Sequence, residues 1–418
     1  MTNHTALEMT TTCCVVGGGP AGMMLGFLLA RAGVEVVVLE KHGDFLRDFR
    51  GDTVHPSTLE LMSELGILDE LLKRPHQQVS QIGAQIGSEF VMIADFSRLS
   101  THCKFLAFMP QWEFLNFIAE QAKQFSTFKL RMTAEATDLI EESGRIVGVK
   151  AKTPEGELHV RAQLVVGADG RGSITRQRAG FEVIDAAAPM DVLWLRMSRK
   201  ESDPGQTLGR IDTGVIFIML NREDYWQCGF VIPKGKLEEL RTEGLDAFRQ
   251  RVIKVAPFMA DRLDEIKSWD DVKLLTVKVD RLTKWHREGL LCIGDAAHAM
   301  SPIGGVGINL AIQDAIATAN ALWKPLSEGT CGETDLQKVQ ERRLYPTRMT
   351  QRLQIFLQKN FVQKALESDK PMSLPLAMRL FKTVPRLRGI PAQVLGVGFR
   401  PEHIHSPLKK PAVISKKA

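Results

Sequence analysis

One stretch restricts the fold more than any other. Val15 to Glu40, VVGGGPAGMMLGFLLARAGVEVVVLE, sets three glycines, a helix and a carboxylate at fixed spacing. The apolar run that leads into it, CCVV, reads as a buried parallel strand, and Gly17, Gly19 and Gly22 form GxGxxG at the turn into a helix. Gly17 permits the tight turn, Gly19 lets the backbone approach a diphosphate, and Gly22, with Gly26 one turn later, lets the helix lie close on the sheet. Pro20 and Ala21 open that helix, whose positive end meets the diphosphate. The helix ends at Gly33 and VEVVVL forms a second buried strand. Glu40, followed by Lys41, then stands where adenosine ribose hydroxyls are bound. A carboxylate here repels a 2′-phosphate, so the spacing selects FAD or NAD and not NADP.

The chain of 418 residues, 44% hydrophobic and 25% charged, has the composition of a soluble globular protein of roughly two or three domains. A formal charge of +5 is modest and reads as dispersed, which gives no case for nucleic acid. The six cysteines show no CxxC pair and no metal-ligand spacing. Cys13 and Cys14 read as core residues, and a reducing cytoplasm fits this usage. Cys13 to Ala30 lacks a charged side chain over a length that imitates a membrane span or signal peptide, but GGGP interrupts it and no Lys or Arg precedes it.

Along the chain, a helix is expected from near Ser57 to Gly66, strands between Val79 and Phe108, and a helix over Gln111 to Lys123. A strand meander runs from Lys129 to Val166, turning at EESGR and TPEGE, before LVVGADG. Residues 183–280 read as mostly strand, a sheet inserted into the nucleotide domain. The expected class is α/β: a Rossmann-like FAD-binding domain (1–75, 104–182, 281–370), an inserted, mainly antiparallel substrate domain (76–103, 183–280) and a C-terminal helical segment (371–418). The last residues, SPLKKPAVISKKA, are expected to fray.

Two further motifs separate FAD from NAD. GADGRGSITR, Gly167 to Arg176, presents Asp169 at a strand end beside a helix capped near Ser173, and GDAAHAMSPIGGVGINLA, Gly294 to Ala311, joins a strand end to a glycine-rich loop and a helix N-terminus. With the first fingerprint, these residues resemble the single-component FAD-dependent aromatic monooxygenases, the para-hydroxybenzoate hydroxylase family, from about Cys13 to Trp323 and in the family order. The resemblance implies that Asp169 and Arg176 lie near the FAD pyrophosphate and the nicotinamide path, and that Gly294 and Asp295 hold the ribityl hydroxyls. It also implies that Pro302 lies near the flavin ring, that Arg50 flanks the FAD and nicotinamide path, and that Gln111 contacts FAD. Gly305 and Gly307 shape the loop and helix start, from which the amides of Ile308 and Asn309 turn toward the flavin pyrimidine oxygen.

Plainer roles compete. Asp169 or Asp295, taken alone, is a helix-capping carboxylate; ordered with Glu40, they read as cofactor contacts. His298 reads as a loop anchor and His55 as a loop residue beside Pro56. Alternation sends some of Trp194, Phe217, Trp226 and Phe230 toward the flavin and the others into the core. The basic, apolar stretch LAMRLFKTVPRLRGIPAQVLGVGFR could meet a membrane or cover the site, but reads first as a solvated helix with an apolar packing face.

By resemblance the activity is hydroxylation or epoxidation of an aromatic or electron-rich small molecule through a flavin C(4a) hydroperoxide, with noncovalent FAD, NADH or NADPH as reductant, and dioxygen. Catalytic side chains stay unassigned, since only Tyr225 and Tyr345 are available for a tyrosine relay. A monomer or homodimer is expected, with no metal and no integral membrane segment. Alternatives are a flavin dehydrogenase or reductase, a halogenase, whose WxWxIP motif is absent, and a noncatalytic FAD-binding sensor.

Overall fold

β1 (Leu7–Val16) alternates its buried side chains between two layers: Cys13 and Val15 enter one core, Cys14 and Val16 the other. Burial on both faces is the mark of a central parallel strand. The computed structural model describes residues 6–46, 53–205, 208–368 and 374–409. In it β1, β2 (Val36–Leu39), β3 (Phe128–Arg131), β4 (Gly156–Gly167) and β5 (Leu290–Cys292) lie parallel in the spatial order β5-β4-β1-β2-β3. An antiparallel pair, Glu135–Glu142 and Arg145–Thr153, extends the first half of β4.

Helix α1 (Pro20–Arg31) follows β1 and is buried along nearly its whole length. Its side chains Met23, Met24, Leu25 and Leu28 are fully buried, each contributing roughly 1.5–3 kcal/mol. Two glycines allow the close fit. A Cβ on Gly22 would come 1.9 Å from the Gly17 carbonyl oxygen, and one on Gly26 would come 2.6 Å from Val38 Cγ2. Helix α2 (Val306–Glu328) packs beside α1 in the same core, and α3 (Glu333–Leu357) packs against α2, adding Leu336 and Val339 to that core.

A second sheet of seven strands runs in the order Lys273–Leu275, Met190–Ser198, Tyr225–Pro233, Val215–Asn221, Leu208–Asp212, Gln81–Ile86, Glu89–Asp95. Its back is covered by helices Leu237–Glu243 and Leu245–Val255 and a 3-10 segment Pro257–Glu265. The expectation of mostly strand over 183–280 missed these. Their signal was legible: Phe248, Val252 and Val255 recur at helical spacing and all three are buried.

The C-terminal part also departs from expectation. After α4 (Leu376–Thr383) and α5 (Gly389–Gly396), the chain crosses back over α2 and α3. Arg31 donates to the Ser406 carbonyl at 2.8 Å, and the Lys409 amide donates to the Arg31 carbonyl at 2.9 Å. Ser406 to Lys409 are therefore tied down rather than frayed; the remainder of SPLKKPAVISKKA lies outside the described residues.

Candidate functional site

The register of the parallel sheet creates the site. Val16 is paired with both Leu39 and Gly167, and Gly167 with Cys292, so the carboxyl ends of four strands stop level with one another. The loops that follow, carrying Gly17–Gly19, Glu40, Asp169 and Asp295, open at one edge. The chain winds from β1 to β2 and β3 on one side and to β4 and β5 on the other, so this edge holds the switch-point crevice where α/β sheets bind ligands.

At the centre, Gly17 has φ +107°, and a Cβ there would come 2.4 Å from the Ala168 carbonyl oxygen. Gly19 differs: a Cβ on it would meet nothing within 4 Å. The space in front of Gly19 is thus kept clear for something other than protein. Both helices that start here, α1 after Gly19 and α2 after Gly305, lack a side-chain cap and an acidic residue in the first turn. Uncapped amides and helix dipoles favour anionic or electron-rich groups. Gly294 (φ +58°) brings the helices together, since a Cβ on it would stand 3.1 Å from Ala21 Cβ and 3.3 Å from Ala311 Cβ.

Each expected contact has a definite place. Glu40 is buried at the end of β2 and accepts the Gly18 amide at 2.9 Å and the His42 amide at 3.0 Å, while Lys41 is exposed beside it. Asp169 accepts from Ser173 Oγ at 2.6 Å, Thr175 Oγ1 at 2.8 Å and the Thr175 amide at 3.0 Å, which makes it part of the cap of helix Ile174–Arg178. Arg176 turns inward to the Arg171 carbonyl (2.6 Å) and Asp280 (3.4 Å) and is 7% exposed. Gln111 begins its helix as expected. Arg50 lies outside the described residues.

The loop after β5 is braced from three sides. The Asn309 side chain accepts the His55 amide and Thr58 Oγ1, both at 2.8 Å, and donates to the Thr53 and Gly305 carbonyls. From α3, Gln354 clamps Ser301 through its amide and carbonyl and also donates to the Ile303 carbonyl. Underneath, Asp314 accepts from the Gly294 amide (3.0 Å), His298 Nε2 (2.6 Å) and Arg343 Nε (2.8 Å). Arg343 in turn reaches Glu402 of the C-terminal crossing at 3.0 Å. His298 is the anchor the sequence proposed. Burial pushes the Asp314 carboxyl up, but His298 and Arg343 more than offset this and hold it below the usual carboxylate range.

Sequence reasoning missed Arg171, which sat in a variable position of GADGRGS and donates from Nε to Asp295 Oδ2 at 3.1 Å. It also missed Asp314 and the glutamines of α3. Asp314 had a signal, since a carboxylate within the apolar run AIQDAIATANAL must be buried and paired.

The seven-stranded sheet turns one face toward this loop. Trp194, Val192, Ile216 and Val231 share a cluster with Ile303, whereas Phe217, Trp226 and Phe230 face away into the core under the helices. Trp194 lies over Gly229, whose Cβ would stand 3.2 Å from the indole, and its Nε1 is buried without a protein partner. Among the described residues no group of three or more His, Cys, Asp or Glu is placed to hold a metal, and no helix is long and apolar enough to cross a membrane.

A clear cradle at Gly19, two uncapped helix starts and carboxylates at the ends of β2 and β5 are a donor and acceptor set that fits FAD. The family model described as FAD binding domain matches residues 10–353. The chain belongs to this family, among the FAD-dependent aromatic monooxygenases. It is 32% identical over 351 residues to 6-methylpretetramide 4-monooxygenase of Streptomyces rimosus, covering 82% of this chain and 83% of that one. Several other curated relatives are longer, and the chain spans 58% to 65% of their lengths. Among solved structures it is similar in fold to PqsL, a probable FAD-dependent monooxygenase from Pseudomonas aeruginosa (TM-score 0.72, 21% identity, 86% of this chain and 97% of that one). It is also similar to the flavin-dependent brominase Bmp2 (TM-score 0.75, 16% identity, 94% and 95%).

Proposed function

We propose that the protein inserts one oxygen atom of dioxygen into an aromatic or electron-rich small molecule, with NADH or NADPH as reductant. The observation that carries this reading is the apolar sheet face around Trp194, set against the loop between Asp295 and the start of α2. Relatives named probable NADH-specific resorcinol 4-hydroxylase and para-nitrophenol 4-monooxygenase support an aromatic substrate, and the first of these names specifies NADH.

FAD, when bound, supplies hydride acceptance and dioxygen activation. The protein's residues orient and enclose. The amides of α1 after Gly19 hold the diphosphate, with Pro20, Ala21 and Gly22 forming the close turn. Glu40 takes the adenosine ribose, Asp295 the ribityl chain, and the amides of Ile308 and Asn309 the pyrimidine oxygen. Asp169 acts by shaping its loop, and Arg171 stands nearer the crevice than Arg176. Val192, Trp194, Ile216 and Val231 exclude water from the reacting edge. We assign the substrate domain to 76–103 and 183–280 and a cytoplasmic location, in keeping with six free, buried cysteines.

The test is turnover of a panel of phenols, quinolones and polyketide-like aromatics under labelled dioxygen. Accelerated NAD(P)H oxidation with one labelled oxygen in the product supports the reading. Oxidation with no label in any product favours a dehydrogenase, and halide-dependent product favours a halogenase.

A further inference from the structure

The charge of the chain is not dispersed. Residues 374–400 contain Arg379, Lys382, Arg386, Arg388 and Arg400 and no Asp or Glu, which equals the entire formal excess of +5; the rest of the chain carries as many acids as bases. This segment holds α4, a 3-10 turn Pro385–Arg388 and α5.

The segment has the inner packing face that its sequence suggests. Leu374 and Met378 pack against the seven-stranded sheet, and Ala392 and Leu395 against Phe96, Leu99 and Phe108. The outer face is unlike an ordinary solvated helix. Leu380 (47% exposed) and Val384 (42%) stand one helical turn apart, and Ile390 (61%) follows on α5. The exposed cations beside them are Arg379, Lys382 and Arg386, and among the described residues the carboxylate paired with the group is Glu89, with Lys382 at 2.6 Å. Aliphatic side chains held out among cations that outnumber their counter-charge do not match nucleic acid or an acidic polymer, which would use the charge alone. They match the boundary of an anionic bilayer, where acyl chains receive the aliphatics and headgroups the cations.

We propose that α4, the 3-10 turn and α5 form a peripheral docking surface for anionic lipid membranes. The inner side of the same segment touches the crevice. His55 Nδ1 lies 2.6 Å from the Leu395 carbonyl oxygen, and a Cβ on Gly304 would come 2.6 Å from Leu395 Cδ1. Docking there sets the loop after Asp295 directly behind the lipid-facing helices, on the route of an apolar aromatic substrate leaving the bilayer. That last consequence rests on the proposed reaction; the lipid contact does not.

The experiment is co-sedimentation of the full-length, FAD-loaded protein with phosphatidylcholine vesicles containing about one-third phosphatidylglycerol, compared with phosphatidylcholine alone. The proposal expects binding to the anionic vesicles, at least tenfold stronger than to the neutral ones and weakened by salt. Arg379→Glu with Arg386→Glu lowers it at least tenfold, and Val384→Gln with Ile390→Gln lowers it several-fold, with FAD content and melting temperature retained. A control reversal on the far side, Lys254→Glu, leaves it unchanged. No preference for anionic vesicles overturns the proposal. So does binding that polyglutamate abolishes as readily in the aliphatic variant as in the wild type, with no loss from the aliphatic substitutions, which marks a surface for acidic protein.

Discussion

Arg171 and Asp295 are joined at 3.1 Å across the mouth of the crevice, one from the loop after β4 and the other from the loop after β5. Both are about one-third exposed, so each remains reachable from solution.

Asp295→Ala removes an acceptor for the ribityl hydroxyls, and a hydrogen bond to a charged group contributes about 1.5–3 kcal/mol. FAD affinity falls roughly tenfold to a hundredfold, while the melting temperature of the FAD-free protein changes little. Arg171→Met weakens FAD binding less than Asp295→Ala does. Titration of the apoprotein with FAD checks both.

The fingerprint glycines separate folding from binding. Gly22→Ala sets a Cβ against the Gly17 carbonyl oxygen, and overpacking of this kind costs about 1–3 kcal/mol. Gly19→Val sets its Cβ in open space, so denaturant unfolding of the apoprotein changes little while FAD binding is lost. Equal loss of stability in both variants would show that the space at Gly19 is not reserved for a ligand.

The glycines, the strands around them and Glu40 were legible because backbone sterics leave few ways to write a strand, a tight turn and a helix that packs closely. Asp295 was legible by its place in an ordered set. Arg171 and Gln354 were not, and the burial of Asp314 was legible but its partners were not, because those partners lie 16 to 124 positions away in sequence and only the fold brings them together. The four aromatics of the inserted sheet needed strand register: Trp194 opposite Gly229, and Phe217 opposite Phe230, fix which face each side chain takes.

That register makes a prediction. Trp226→Ala empties a fully buried site whose indole Nε1 donates to Asp203, costing about 3–5 kcal/mol. Trp194→Ala, on the face toward the flavin loop, costs less stability and instead raises the KM for the aromatic substrate. Denaturant unfolding and steady-state kinetics distinguish the two.

His55 is buried, and burial lowers its pKa from 6.5 to about 4. As pH falls below 6.5 the unfolded chain takes up a proton that the folded chain refuses until about 4. The stability owed to neutral His55 is therefore complete above this window and lost through it, by at most about 3 kcal/mol. His55→Gln flattens the fall in stability between these limits, as measured by denaturant unfolding across pH.

Asp314 acts lower on the scale. Its depressed carboxyl keeps stability complete above the unfolded value of about 3.9 and loses it as pH falls further toward the folded pKa. Asp314→Asn removes one of the two carboxylates paired with buried Arg343, leaving Glu402, a loss of at most about 3–5 kcal/mol. Because Gly294 loses its brace too, FAD dissociates faster from whatever fraction folds, which a stopped-flow release measurement reads.

The central claim is that the level ends of β1, β2, β4 and β5 clasp a single FAD. Its most direct test is to strip the purified protein and titrate it with FAD, following flavin absorbance and fluorescence. The account predicts saturable, noncovalent binding of one FAD per chain, weakened by Asp295→Ala and abolished by Gly19→Val. A folded apoprotein that takes up no FAD, or that binds it equally well with valine at position 19, would contradict it.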